Sequence, residues 1–236
     1  MSSKEFAAVN QEVWNKLYKG QALTRNAVRS VPDINGKASE IVEKNSILLR
    51  PSSNILELGC GHGTNLLELA RSHKCTGIDI SKEALLIGES RAKQAGVSIK
   101  FIESDFYHLP FEDSQFDCVL ALYSLQFNNW NSAVNVFKEI SRVLSEDGYL
   151  IFKIRSTARD MPSKYKLLDD HGLTFISYEE HEYGMTYHHY TEKEINIITS
   201  DFHKVDLYEV SKNYAGEVNG KRAWWVGVFR KNKVSR

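Results

Sequence analysis

The residues best suited to chemistry in this chain are a cluster of glycines and three carboxylates. Glu57-Leu-Gly59-Cys-Gly61-His-Gly63 stands between an apolar run and an amphipathic one. Glycines at such a junction let the backbone turn sharply and come close to a ligand. A helix that starts there adds free N–H groups and the positive end of its dipole. Asp79 ends the next apolar run, from where a carboxylate can accept hydrogen bonds from two ribose hydroxyls. Asp105 follows a third run, in Glu103-Ser-Asp105-Phe106. It can accept from an exocyclic adenine amine while the next backbone N–H donates to the ring. Two phosphate readers are excluded by spacing. A dinucleotide fingerprint needs glycine where Thr64 stands, and a Walker loop needs a lysine that Gly63-Thr-Asn65 lacks.

Strand-like and helix-like segments must alternate to place these groups on one edge, which predicts a parallel sheet wrapped by helices. Strands are expected at 54–59, 75–80, 98–103, 116–121 and 149–154, the last entered through a turn at Glu146-Asp-Gly148. Helices are expected at 64–72, at 81–95 with Ser81 as its cap, and at 132–144. Two more, at 3–19 and 33–49, precede the first strand. Beyond Arg155 about 35 residues show no clean period, a length typical of functional or mobile loops. Thr191-Glu-Lys-Glu194 then reads as a capping box. Two final strands, 205–210 and 223–229, are close enough to pair as a hairpin through 215–220.

Composition narrows the function. Thirty basic residues balance 30 acidic ones, so no global field draws the chain to nucleic acid or to an anionic membrane. The basic run at 230–236 reads as a solubilising tail. Cys60, Cys75 and Cys118 sit in apolar stretches at irregular spacing, as buried thiols of a reducing compartment do. The amino terminus lacks an apolar signal core, and no stretch approaches the ~18 apolar residues of a membrane span. A cytoplasmic, single-domain protein of 1–236 is expected.

Taken in order, ELGCGHG, GIDIS, ESDFYHLPFEDSQFD and VLSEDGYLIF resemble the motifs of class I S-adenosylmethionine-dependent methyltransferases, more narrowly the methyltransferase type 11 group. The resemblance covers roughly 54–154. It implies an α/β, Rossmann-like, seven-stranded sheet, mostly parallel with an antiparallel last strand, and helices on both faces. The cofactor it implies is S-adenosyl-L-methionine, with S-adenosyl-L-homocysteine as product. Gly59, Gly61 and Gly63 would hold the methionine moiety, with Cys60 in the same loop. Glu57 would position the loop and the cofactor's amino group, Asp79 the ribose, Ile80 the adenine face, and Asp105 with Phe106 its edge. Leu122, at the fourth strand's end, joins this set. Trp14 and Tyr18 resemble an aromatic entry that, in small-molecule members, folds over the cofactor, so 1–50 is expected to be a helical lid.

The acceptor should enter beside Leu122-Tyr-Ser-Leu-Gln-Phe127, where Tyr123 is a catalytic candidate. Many relatives carry a histidine in this stretch; here Gln126 and Phe127 stand instead. The segment 155–190 is expected to be a substrate-side insertion, with His181, Tyr183, Tyr187, His188, His189 and Tyr190 crowded together. His188 and His189 are the candidate bases. No metal site is expected, because no acid-flanked helical histidine pair appears. The main reading is methyl transfer to oxygen, nitrogen or sulfur of a small metabolite. An RNA- or protein-directed enzyme, or a non-catalytic binder of the same cofactor, stands as the alternative.

Overall fold

The computed structural model describes residues 3–20, 38–214 and 220–233. Seven strands form one sheet: β1 (Asn54–Leu58), β2 (Lys74–Asp79), β3 (Ile99–Glu103), β4 (Phe116–Leu122), β5 (Leu144–Arg155), and the closing pair β9 (Phe202–Tyr214) and β10 (Gly220–Lys231). Their order is β3-β2-β1-β4-β5-β10-β9. Neighbours from β3 to β5 run parallel, and β10 is antiparallel to both β5 and β9. The order reverses between β1 and β4. Such a switch point opens a crevice at the strands' carboxyl ends, and open α/β sheets bind ligands there.

Burial explains the apolar runs. Leu56, Leu58, Val119, Leu150 and Phe152 pack one face against α5 (Trp130–Val143), which presents Val136, Phe137, Ile140 and Val143. Ile55, Leu120, Ile151 and Val228 face the other way, toward α3 (Thr64–Leu69) and α4 (Lys82–Ala95). With both faces covered, the central strands lose any polar alternation. Ser81 caps α4 by accepting from the Ala84 N–H at 3.3 Å. Thr191 and Glu194 form the reciprocal capping box of α6 (Glu192–Ile198).

Three expectations need correction. The turn at 146–148 is instead part of β5, which starts at Leu144; Asp147 takes φ 64° there, and the register slips between Phe116 and Cys118. Arg230 and Lys233 bind that aspartate, so these cations of the terminal run are structural ties. The aperiodic segment contains a small antiparallel sheet, β6 (Tyr165–Leu167), β7 (Thr174–Ser177) and β8 (Thr186–His188). Phe175, Met185 and Tyr187 form its buried side, against Val13 and Trp14 of α1 (Ser3–Tyr18). Of the helix expected at 33–49, residues up to 37 lie outside the described ones; α2 (Glu40–Asn45) and a short 3-10 turn form the rest. The hairpin turn at 215–219 and the side chain of His181 likewise lie outside them.

Candidate active site

The loop after β1 turns on two glycines in the left-handed region, Gly59 at φ 68° and Gly61 at φ 53°. The N–H groups of Gly59 and Cys60 both donate to the Ile78 carbonyl, at 2.8 and 2.9 Å, which locks the bend to β2. A side chain at Gly61 would fall on the Tyr18 hydroxyl. This bend borders a cleft of about 370 Å³. Of the residues expected to hold a cofactor, Glu57, Gly59, Cys60, Gly61, Asp79, Ile80, Asp105, Phe106, Leu122, Trp14 and Tyr18 all line it. Gly63 sits behind, as the left-handed cap of α3 beneath Phe101.

Two carboxylates set the electrostatics. Asp79 accepts from the Gly61 and Ser81 N–H groups, each at 2.8 Å. Burial still raises its pKa above the ordinary carboxylate value. Glu57 is buried, and its Oε1 accepts from Asn65 Nδ2 at 2.6 Å, while its Oε2 has no partner among the described residues. Burial lifts it to about 8, with Asp79 adding to the rise and Asn65 opposing it. An unpaired buried oxygen costs about 1–3 kcal/mol. A cationic amine placed beside it would recover that cost. The thiol of Cys60 is pushed well up by burial, then by Asp79 and Glu57.

α1 lines one side of the cleft with Ala7, Asn10, Trp14 and Tyr18. Gln11 donates to the Ile80 carbonyl and to Glu103, both at 3.0 Å, and Asn15 accepts from the Ser81 hydroxyl at 2.8 Å. Trp14 meets Phe127 edge to face at 5.4 Å. Sequence reading missed Asn10 and Asn65, which also line the cleft, as do Ser124 and Phe127 of the stretch expected to admit the acceptor. Asn10 was detectable, because it stands one turn ahead of Trp14 and two ahead of Tyr18 on one helical face. Ser124 Oγ and Asn10 Oδ1 are buried and have no partner among the described residues.

Tyr123 lies at the rim, 44% exposed, with φ 64°. The two candidate bases do not reach the cleft lining, which corrects their expected placement. His188 is buried, with Nδ1 2.8 Å from Thr174 Oγ1 and Nε2 3.1 Å from Glu194. It borders a separate cleft beside Trp130. His189 is buried against Phe175, and burial, with Arg155 and Arg159, pulls it down to about 2. His62 lines the cleft but is tied to Arg91 at 2.6 Å and Thr64 at 3.0 Å. Among the described residues no group of three His, Cys, Asp or Glu is placed for a metal, and no helix is long and apolar enough to cross a membrane.

A glycine bend at the switch point, with acids at the tips of β2 and beyond β3, defines a nucleoside-binding α/β domain. Comparison with known proteins identifies it further. Residues 55–148 match the methyltransferase domain family. The sterol 4-C-methyltransferase of Caenorhabditis elegans is 32% identical over 185 residues, covering 75% of this chain and 51% of that protein. The fatty-acid O-methyltransferase of Mycolicibacterium smegmatis is 32% identical over 127 residues, 52% of this chain and 44% of its own. The chain thus spans about half the length of these curated relatives. The Burkholderia thailandensis 1,6-didemethyltoxoflavin-N1-methyltransferase, solved with its substrate and S-adenosylhomocysteine, shares the fold. Its TM-score is 0.68 at 17% identity, over 99% of this chain and 92% of that one. Residues 55–148 thus carry a methyltransferase domain, on a fold shared with S-adenosylmethionine-dependent methyltransferases.

Proposed function

We propose that this protein transfers a methyl group from S-adenosylmethionine to oxygen, nitrogen or sulfur of a small metabolite. The observation that carries this reading is the unpartnered Oε2 of Glu57, a residue that lines one cleft with the glycine bend and Asp79. The cofactor's ammonium fits that oxygen and its ribose fits Asp79. Bound there, the cofactor supplies a sulfonium methyl that an acceptor lone pair takes in line, the carbon–sulfur pair returning to sulfur and any displaced proton leaving to water.

The chain's own work is positioning, which can contribute several kcal/mol to such a displacement. Ser124 Oγ and Asn10 Oδ1 can accept from an acceptor O–H or N–H and aim its lone pair. Trp14, Phe127 and Leu122 supply apolar walls that keep water from competing. A cleft of this size, walled in part by α1, suits a diffusible metabolite, as do relatives named for sterol, fatty-acid and toxoflavin substrates. The test is incubation with methyl-labelled cofactor and a metabolite extract, with products identified by mass. Label in one small molecule is expected; label confined to added RNA or protein would overturn the reading.

In this reading α1 is a lid. Trp14→Ala removes its edge contact with Phe127, worth about 1 kcal/mol together with lost apolar cover. S-adenosylhomocysteine affinity by calorimetry should fall about tenfold, and the unfolding midpoint by the few degrees that lost packing against Phe127 and Tyr187 costs. Unchanged affinity would mean that α1 merely packs.

A further inference from the structure

The tips of β5 and β10 gather positive charge outside the set of residues expected to hold the cofactor. Lys153 and Arg155 are two residues apart on β5, so their side chains share a face. Trp224 stands directly across from Arg155, and Arg222 lies two residues before it on the same face. Arg159 folds back from beyond β5 until its guanidinium is 5.7 Å from the centre of the Trp224 ring. The Lys153 ammonium sits 4.8 Å from the Tyr123 ring and 4.9 Å from that of Trp224, and the two rings meet edge to face at 6.1 Å.

The neighbouring acids are committed. Glu182 binds Arg155 at 3.5 Å, Glu209 takes the Ser156 hydroxyl, and Asp160 accepts the Lys221 N–H at 2.6 Å. Burial, then the charges of Arg155 and Arg222, bring the Arg159 guanidinium down to about 9. Next to these arginines, His189 Nε2 is buried with no partner among the described residues. Several cations held together in a partly desolvated place repel one another unless an anion joins them. Guanidinium forks match carboxylate and phosphate geometry, and flat rings beside them favour a flat partner.

We propose that this cluster anchors the methyl acceptor, and that the acceptor is an aromatic molecule bearing a carboxylate or phosphate. Its anion lies on Lys153 and Arg159, and its ring lies beside Tyr123 and Trp224. The inference rests on the methyltransferase reading. Because Tyr123 also lines the cofactor cleft, a molecule anchored here has its remaining atoms at the cleft's rim. The anion is the handle and not the nucleophile, since hydrogen bonds from cations withdraw the lone pairs that attack requires.

The test uses the full chain saturated with S-adenosylhomocysteine and calorimetry with four probes: benzoate, phenyl phosphate, neutral benzamide and a short oligouridylate. Benzoate or phenyl phosphate should bind at least tenfold more tightly than benzamide. Arg159→Gln and Lys153→Met should each cut that preference severalfold while S-adenosylhomocysteine still binds. Equal binding of the anions and benzamide by the unaltered protein overturns the proposal without any variant, as does a preference that survives both substitutions. Tighter binding of oligouridylate than of either aromatic anion also overturns it, in favour of a nucleic-acid surface. Failure to bind S-adenosylhomocysteine at all would instead remove the methyltransferase reading beneath it.

Discussion

Glu57→Gln is expected to weaken S-adenosylhomocysteine binding at least 100-fold while making the ligand-free protein harder to unfold above pH 8. Both effects come from one buried carboxyl. Its folded pKa, about 8, lies above the ordinary 4.5, with burial as the main cause. Between those values the folded chain holds a proton that the unfolded chain has released. Stability therefore falls as pH rises across that interval, and the whole penalty is present above about pH 8. Glutamine carries no charge to bury, so the variant escapes the penalty, and its carbonyl still accepts from Asn65. The cofactor's ammonium loses its counter-charge, and an unpaired buried charge costs about 3–5 kcal/mol. Affinity of the unaltered protein should also rise from pH 6 to 8, because pairing with a cation first requires Glu57 to release its proton. Calorimetry and unfolding midpoints across pH 6–9 measure all three. A Glu57→Gln variant with undiminished affinity would remove the assigned role of this residue.

Legibility in the sequence followed the range of the forces involved. The glycine bend, the Ser81 cap and the Thr191–Glu194 box depend on residues within a few positions of each other, and each appears where local chemistry puts it. The apolar strands were readable because both sheet faces are covered. Glu146-Asp-Gly148 misled because its residues suit a turn and a bulge equally; only pairing with Phe116 and Cys118 selects the bulge. The strands around Phe175 and Tyr187 are three or four residues long, too short to show alternation, and are fixed by α1 and the tip of β5. His188 and His189 looked catalytic by type and crowding. Thr174, Glu194 and Phe175 occupy or enclose them through contacts no local pattern records. The cation cluster was invisible for the same reason, since antiparallel pairing is what brings Trp224 beside Arg155.

Gly59→Ala is expected to lower the unfolding midpoint by about 5–10 °C and weaken S-adenosylhomocysteine binding more than 100-fold. Two costs add at this position. At φ 68° a side chain is strained by about 1 kcal/mol. The new Cβ would also lie 2.5 Å from the Ser124 Cβ, which cannot withdraw without moving the backbone after β4. Overpacking of that kind costs about 1–3 kcal/mol, and about 2–4 kcal/mol in all, at about 2.5 °C per kcal/mol, is the stated shift for a domain of this length. Separating the two loops also pulls Ser124 and the glycine bend apart, and both line the cleft. Gly96→Ala separates strain from geometry. Gly96 has the same φ of 68° at the end of α4, with nothing within 4 Å of the added atom. It should lose about 1 kcal/mol of stability and none of its cofactor affinity. If the two alanine variants behave alike, the bend after β1 is only a turn, and the cofactor must be held elsewhere.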